Sequence, residues 1–145
     1  MIKNINLLVL GFLSLFFVAC SSNTNVQKEQ LKPNVSLTNT YWKAISFFDK
    51  EVKVFRKEAH IKFQKDGRVI GNLGCNNFFG QFNQNGENIK FSKVASTKMM
   101  CPNIKTEDAF AKVLSGVKTF KIKGESMSFF DKENKEIATF KAVYF

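Results

Sequence analysis

Four short segments, VKVF (52–55), HIKFQ (60–64), NIKF (88–91) and TFKIK (119–123), set lysine against apolar residues at a period close to two. This alternation constrains the fold more than any other feature. Successive side chains of an extended strand point to opposite faces, so each segment offers one face to a core and one to water. Lysine on the outer face keeps a sheet soluble and blunts its edges. Turn chemistry bounds the segments at KDGR (65–68), NQNGEN (83–88) and DKENKE (131–136). The pattern places strands over 40–48, 52–56, 60–64, 68–73, 77–83, 88–91, 118–123, 126–130 and 136–144, and the 17 phenylalanines supply bulk for one core.

One stretch breaks the period. In TEDAFAKVLSGV (106–117), Phe110, Val113, Leu114 and Val117 recur at the spacing of an amphipathic helix. Thr106 is placed to cap its start, Glu107 and Asp108 suit the positive end of its dipole, and Gly116 lies near its exit. The expected fold class is therefore mainly β (α+β): a small antiparallel curled sheet or barrel with one accompanying helix over one opening or face.

The first 19 residues run from a single charge, Lys3, through an apolar stretch from Ile5 to Val18, to the small residue Ala19. That is the order of a secretory signal, and the apolar stretch is shorter than the roughly 20 residues that span a bilayer. FVACSS (17–22) resembles the lipobox of bacterial lipoproteins, with Phe17 where leucine is usual. The resemblance implies a diacylglyceryl group on Cys20, which becomes the first residue of the mature chain. An ordinary signal peptide cut near Ala19, leaving Cys20 as a thiol, is the other reading. Ser21 after the cysteine implies the periplasmic side of the outer membrane if the cell is Gram-negative. Residues 20–39 have no aromatic side chain and carry Pro33, as a tether does, which puts the domain at 40–145.

A net charge of +10 with many aromatics invites a nucleic-acid reading. Export and the lysine alternation argue against nucleic acid and leave anionic lipid or an acidic envelope partner to receive the charge. With Cys20 lipidated, Cys75 and Cys101 remain. Outside the cytosol such a pair is usually a disulfide, and two buried thiols packing as small apolar groups is the alternative. No metal or other cofactor is expected, because there is no CxxC and His60 is the only histidine. His60 sits in a strand pattern with nothing to recommend a triad, Glu107 and Asp108 belong to a helix start, and no glycine-rich phosphate loop appears.

The run GCNNFFGQF (74–82), the turn NGENIKF (85–91), then VASTKMMCP (94–102) and a helix beginning TEDAF (106–110) resemble the META domain, the HslJ-like heat-shock family. Thr40, Trp42 and the closing SMSFFDKENKEIATFKAVYF (126–145) fit its outline, while PNIKTED (102–108) lacks the family's usual methionine-glutamate helix start. The resemblance covers 40–145. It implies a small β-barrel with a helix, supports the Cys75–Cys101 crosslink, and links the chain broadly to heat shock, drug tolerance and motility without an established reaction. Gly74 would let the chain turn into Cys75. Asn76 and Asn77 have turn chemistry; together with Ser96, Thr97, Lys98 and Met99 they also form a possible ligand rim. The expectation is a lipid-anchored, non-enzymatic binding or envelope-stress module. An accessory envelope hydrolase is the alternative, and it would need a nucleophile with a base in reach.

Overall fold

Trp42, Ile61, Phe63, Val69, Met127 and Phe129, all inward positions of alternating strands, have no exposed surface, and the sheet that carries them curls until its first and last long strands meet. The computed structural model describes residues 34–102 and 104–145; the signal-like segment and Cys20 lie outside the described residues. The elements are β1 (Tyr41–Phe47), β2 (Lys50–Glu51), β3 (His60–Phe63), β4 (Arg68–Asn72), β5 (Asn77–Asn85), β6 (Asn88–Ser96), α1 (Lys105–Gly116), β7 (Thr119–Lys123), β8 (Ser126–Phe130) and β9 (Glu136–Val143). The nine strands form one sheet in the order β2-β1-β3-β4-β5-β6-β7-β8-β9, and β1 also pairs with β9. Every pairing between these named strands is antiparallel, and Thr38 adds an isolated parallel bridge to Phe63 of β3. Among the described residues no helix is long and apolar enough to cross a membrane.

The seam of the ring is β6–β7, where Asn88 opposite Thr119 is the one paired position. Backbone bonds from Ile89 N–H to Lys118 O and from Phe120 N–H to Glu87 O, both 2.9 Å, hold it closed. Between these strands in sequence comes α1, which crosses the mouth where β1, β4 and β6 finish. Its stripe Phe110, Val113 and Leu114 is buried, and the Phe110 ring lies 4.7 Å from Phe47, 5.6 Å from Phe78 and 5.7 Å from Phe140. The helix therefore plugs one end of the barrel. The other end, the base, holds the turns after β3, β5 and β7.

Four expectations are corrected. Residues 52–56 are not a strand. Phe48 and Asp49 both take positive φ (48° and 62°), making a tight hairpin turn of the kind that matches strand twist, so pairing falls on Lys50 and Glu51 instead. Next, β6 runs to Ser96 rather than stopping at 91. Lys93 sits at φ 51° where the β5–β6 register shifts, and such a bulge breaks the alternation that a periodic reading follows. Thr106 does not cap α1; Ile104 holds that position without a side-chain cap bond. The packed chain also begins before 40. Val35 N–H bonds Gly124 O at the base, Leu37 is buried, and Leu37 O accepts the Trp42 indole N–H at 3.0 Å.

Candidate functional site

The turn between β4 and β5, residues 73–76, is built around Gly74, whose φ of 110° lies in the region that favours glycine. Asn72 organises it from one side: its Oδ1 accepts Gly74 N–H at 2.8 Å and its Nδ2 donates to Asn77 Oδ1 at 2.8 Å and to Cys75 O at 3.3 Å. Leu73 N–H closes the turn on Asn76 O at 2.8 Å. This places Cys75, buried, opposite Cys101 at disulfide-bonding distance, with Cα atoms 6.5 Å apart. The segment after β6 is thereby held against the β4–β5 turn.

Asn76 joins three elements through one side chain. Its Oδ1 accepts Met99 N–H at 2.7 Å and the Thr97 hydroxyl at 2.8 Å. Its Nδ2 donates to both Glu107 carboxylate oxygens, at 3.1 and 3.0 Å, and to Met99 O at 3.2 Å, and its backbone N–H reaches Glu107 Oε2 at 3.2 Å. Only 3% of Asn76 is exposed, so its amide is occupied with bracing α1 and the post-β6 segment and is not part of an open rim. Asn77 is exposed, but its Oδ1 is taken by Asn72, and its backbone N–H and O bond Thr97 Oγ1 and Thr97 N–H. Ser96 is half-buried. Of the six expected rim residues, Lys98 and Met99 are left facing solvent without a bracing side-chain role.

The accessible surface lies beside them. Met100 is 93% exposed, Phe55 64% and Val54 58%, with Ile104 also exposed. Two loops carry these residues, 52–59 and 97–104, and both are tied to the same turn: Lys57 N–H bonds Gly74 O at 3.3 Å, and Cys101 faces Cys75. Lys53, Arg56, Lys57 and Lys98 interleave with the apolar side chains. The alternation in VKVF predicts a half-buried strand at Val54 and Phe55, and both side chains stand in solvent instead. The signal that would have separated them is VFRK, where a solvated pair follows an apolar pair with no core-facing partner. A shallow open cleft of about 420 Å³ continues from this tip between α1 and the β1–β2 hairpin, lined by Phe47, Val52, Ala109 and Lys112 among others.

A second polar cluster sits on the outer face of β1 and β3. Tyr41 stacks on His60 with ring centroids 4.3 Å apart and donates its hydroxyl to Glu58 Oε1 at 3.0 Å, while Lys43 pairs with Glu58 Oε2 at 2.6 Å. His60 Nδ1–H reaches Glu58 O at 3.0 Å. Burial and the bond to Glu58 push the Tyr41 phenol up. Burial holds the His60 imidazole below its ordinary value of 6.5, outweighing the Glu58 contacts. At Glu58 burial acts upward, but the bonds from Lys43 and Tyr41 prevail and hold the carboxyl below 4.5. Both lowered groups thus stabilise the fold above their unfolded pKa values and lose that contribution as pH falls through the folded ones. Melting temperature is expected to decline first below about pH 6.5 and again below about pH 4.5, and Glu58→Gln should flatten the second decline. An unchanged acid limb in that variant would contradict the assignment.

An antiparallel barrel plugged by one helix and braced at that mouth by a cysteine pair and a buried asparagine is the class that fold and site define. The chain belongs to the META domain family, whose model matches residues 35–144. Among solved structures it is similar to an NMR structure of a protein from Burkholderia xenovorans, at 18% identity and TM-score 0.61, covering 75% of this chain and 85% of that one. It is also similar to the crystal structure of a DUF4847 family protein from Bacteroides vulgatus ATCC 8482, at 13% identity and TM-score 0.56, covering 72% and 93%. At these identities the likeness is one of fold. No curated protein matches.

Proposed function

We propose that this META-domain protein is a lipid-anchored, non-enzymatic module of the cell envelope that binds an anionic lipid surface through the two-loop tip at its plugged mouth. The signal-like segment and FVACSS support anchoring through Cys20. The observation that carries the binding reading is the tip itself: Phe55 and Met100, 64% and 93% exposed, stand among Lys53, Arg56, Lys57 and Lys98 on neighbouring loops. Apolar side chains left in water at loop ends mark interaction sites when they cluster. Cations interleaved with them match a headgroup layer over an acyl boundary, at about 1 kcal/mol per Lys or Arg near an anionic surface. The described chain enters the domain at the base, beside Gly124, so the tip is the end remote from that junction.

The test is co-sedimentation of residues 34–145 with vesicles. The described hydrophobic core lies wholly between Leu37 and Ala142, so this piece carries it intact. Binding is expected with vesicles containing anionic lipid and not with neutral ones, with a steep fall as salt rises. Arg56→Ala combined with Lys98→Ala should cost about 2 kcal/mol of affinity, and Met100→Asp should weaken binding further without changing the melting temperature. Absence of anionic-vesicle binding, or binding only to an acidic protein, would overturn the lipid reading.

A further inference from the structure

Asn76 presents the Glu107 carboxylate to the two sulfurs. One oxygen of Glu107 and the Sγ atoms of Cys75 and Cys101 all lie within 4.8 Å of one another. We infer that the reduced Cys75–Cys101 pair and Glu107 form a binding site for a borderline-soft divalent cation such as Zn²⁺, and that the crosslink closes it. The proposal rests on the reading of the pair as a disulfide.

Three features carry it. Two thiolates and a carboxylate match the mixed sulfur and oxygen donor sets that zinc accepts. In a tetrahedral site with Zn–S near 2.3 Å, the sulfurs stand roughly 3.8 Å apart, so thiolates released from a disulfide of about 2 Å need to part by less than 2 Å. Cys75 and Cys101 can do this with the backbone held, because the bonds that brace it join Asn72 to Gly74 and Asn76 to Met99 and Thr97, and the bond to sulfur, Asn76 Nδ2–H to Cys101 Sγ at 3.9 Å, is long and is one that a thiolate also accepts. Finally, Glu107 is already oriented. Nδ2 of Asn76 donates to both oxygens and its backbone N–H to Oε2, which leaves Oε1 with a lone pair to give. Such outer partners fix a ligand's direction in protein metal sites. Cys101 and Glu107 are only half-buried, so a hydrated ion can reach them.

The chemistry balances in two steps. A dithiol reductant transfers two electrons and two protons to the Cys75–Cys101 bond, giving two thiols and its own disulfide. Zinc then binds as both thiols lose their protons to solvent. When the metal leaves, the thiolates regain their protons, and a disulfide oxidant that takes two electrons and two protons from the pair, becoming a dithiol itself, restores the crosslink.

Residues 34–145 lack Cys20, so every thiol in the experiment belongs to the site. The protein is reduced with a phosphine, the two free thiols are verified by titration, and Co²⁺ is added without air as the probe. We expect one equivalent to bind with a thiolate-to-cobalt charge-transfer band, displaced by Zn²⁺, and no band in the oxidised protein. Glu107→Gln keeps an oxygen for Asn76 and preserves both thiols; it should weaken Co²⁺ by at least the roughly 10- to 100-fold typical of losing even an outer-shell partner. No band after verified reduction, or equal affinity in Glu107→Gln, overturns the site. Binding without reductant overturns the gate and, separately, the disulfide reading.

Discussion

Phe110→Ala is expected to lower the unfolding free energy by about 3–5 kcal/mol, the range for removing a fully buried phenylalanine. Phe110 has no exposed surface and is the side chain through which α1 enters the barrel, touching rings from β1, β5 and β9 at once. Phe47 and Phe140 come from the paired strands β1 and β9, and Phe78 comes from β5, separated from β1 by β3 and β4, so the three rings cannot close over the void without moving the strands themselves. Urea denaturation should show a lower midpoint with the slope unchanged. Phe79, on the outer face of the same β5 strand and 58% exposed, supplies the control: Phe79→Ala should stay within about 0.5 kcal/mol of the parent. A loss below 1 kcal/mol for Phe110→Ala would mean that the helix does not plug the mouth.

Cys75→Ala and Cys101→Ala should each cost about 3–4 kcal/mol under oxidising conditions, as expected for a crosslink between residues 26 apart in sequence. The double variant should lose little more, since either single change removes the same bond. The equality is informative because the two sites differ: Cys75 is buried in the β4–β5 turn, whereas Cys101 is half-exposed. If packing alone mattered, Cys75→Ala would be much the worse. Reductant should bring the parent close to the variants. Unequal losses that reductant leaves in place would argue for buried thiols instead of a bond. The same two variants bear on the enzyme alternative, since a nucleophile at Cys75 would lose activity without losing stability and Cys101 would not follow it.

The alternation of lysine with apolar residues was enough to read most of the sheet, because each long strand has one wet face and one buried face. It failed where backbone geometry rather than side-chain pattern decides. Nothing in Phe48 and Asp49 advertises two consecutive positive φ values, and the bulge at Lys93 throws later residues of β6 out of phase. The helix was legible from Phe110, Val113, Leu114 and Val117, but its start was not, because Thr106 packs beside Gly74 instead of capping. At the mouth, the cysteines and asparagines were legible as a group. Their separation into roles was not. That Asn76 faces inward to Glu107, 31 residues away, depends on the disposition of α1 over the β4–β5 turn, which local sequence does not encode. Conversely, Val54 and Phe55 carry the alternation of a half-buried strand and both project into solvent.

The proposed lipid binding places the contact surface at the tip, not at the base or on the lysine-bearing strand faces. Backbone amide spectra of residues 34–145, recorded with anionic lipid nanodiscs, test it most directly. Broadening is expected to concentrate at Val54, Phe55, Met99, Met100 and Ile104, while the base turns at Asp66, Gly86 and Gly124 stay sharp and salt reverses the effect. Uniform broadening over the outer strand lysines, or perturbation centred on the base, would contradict it.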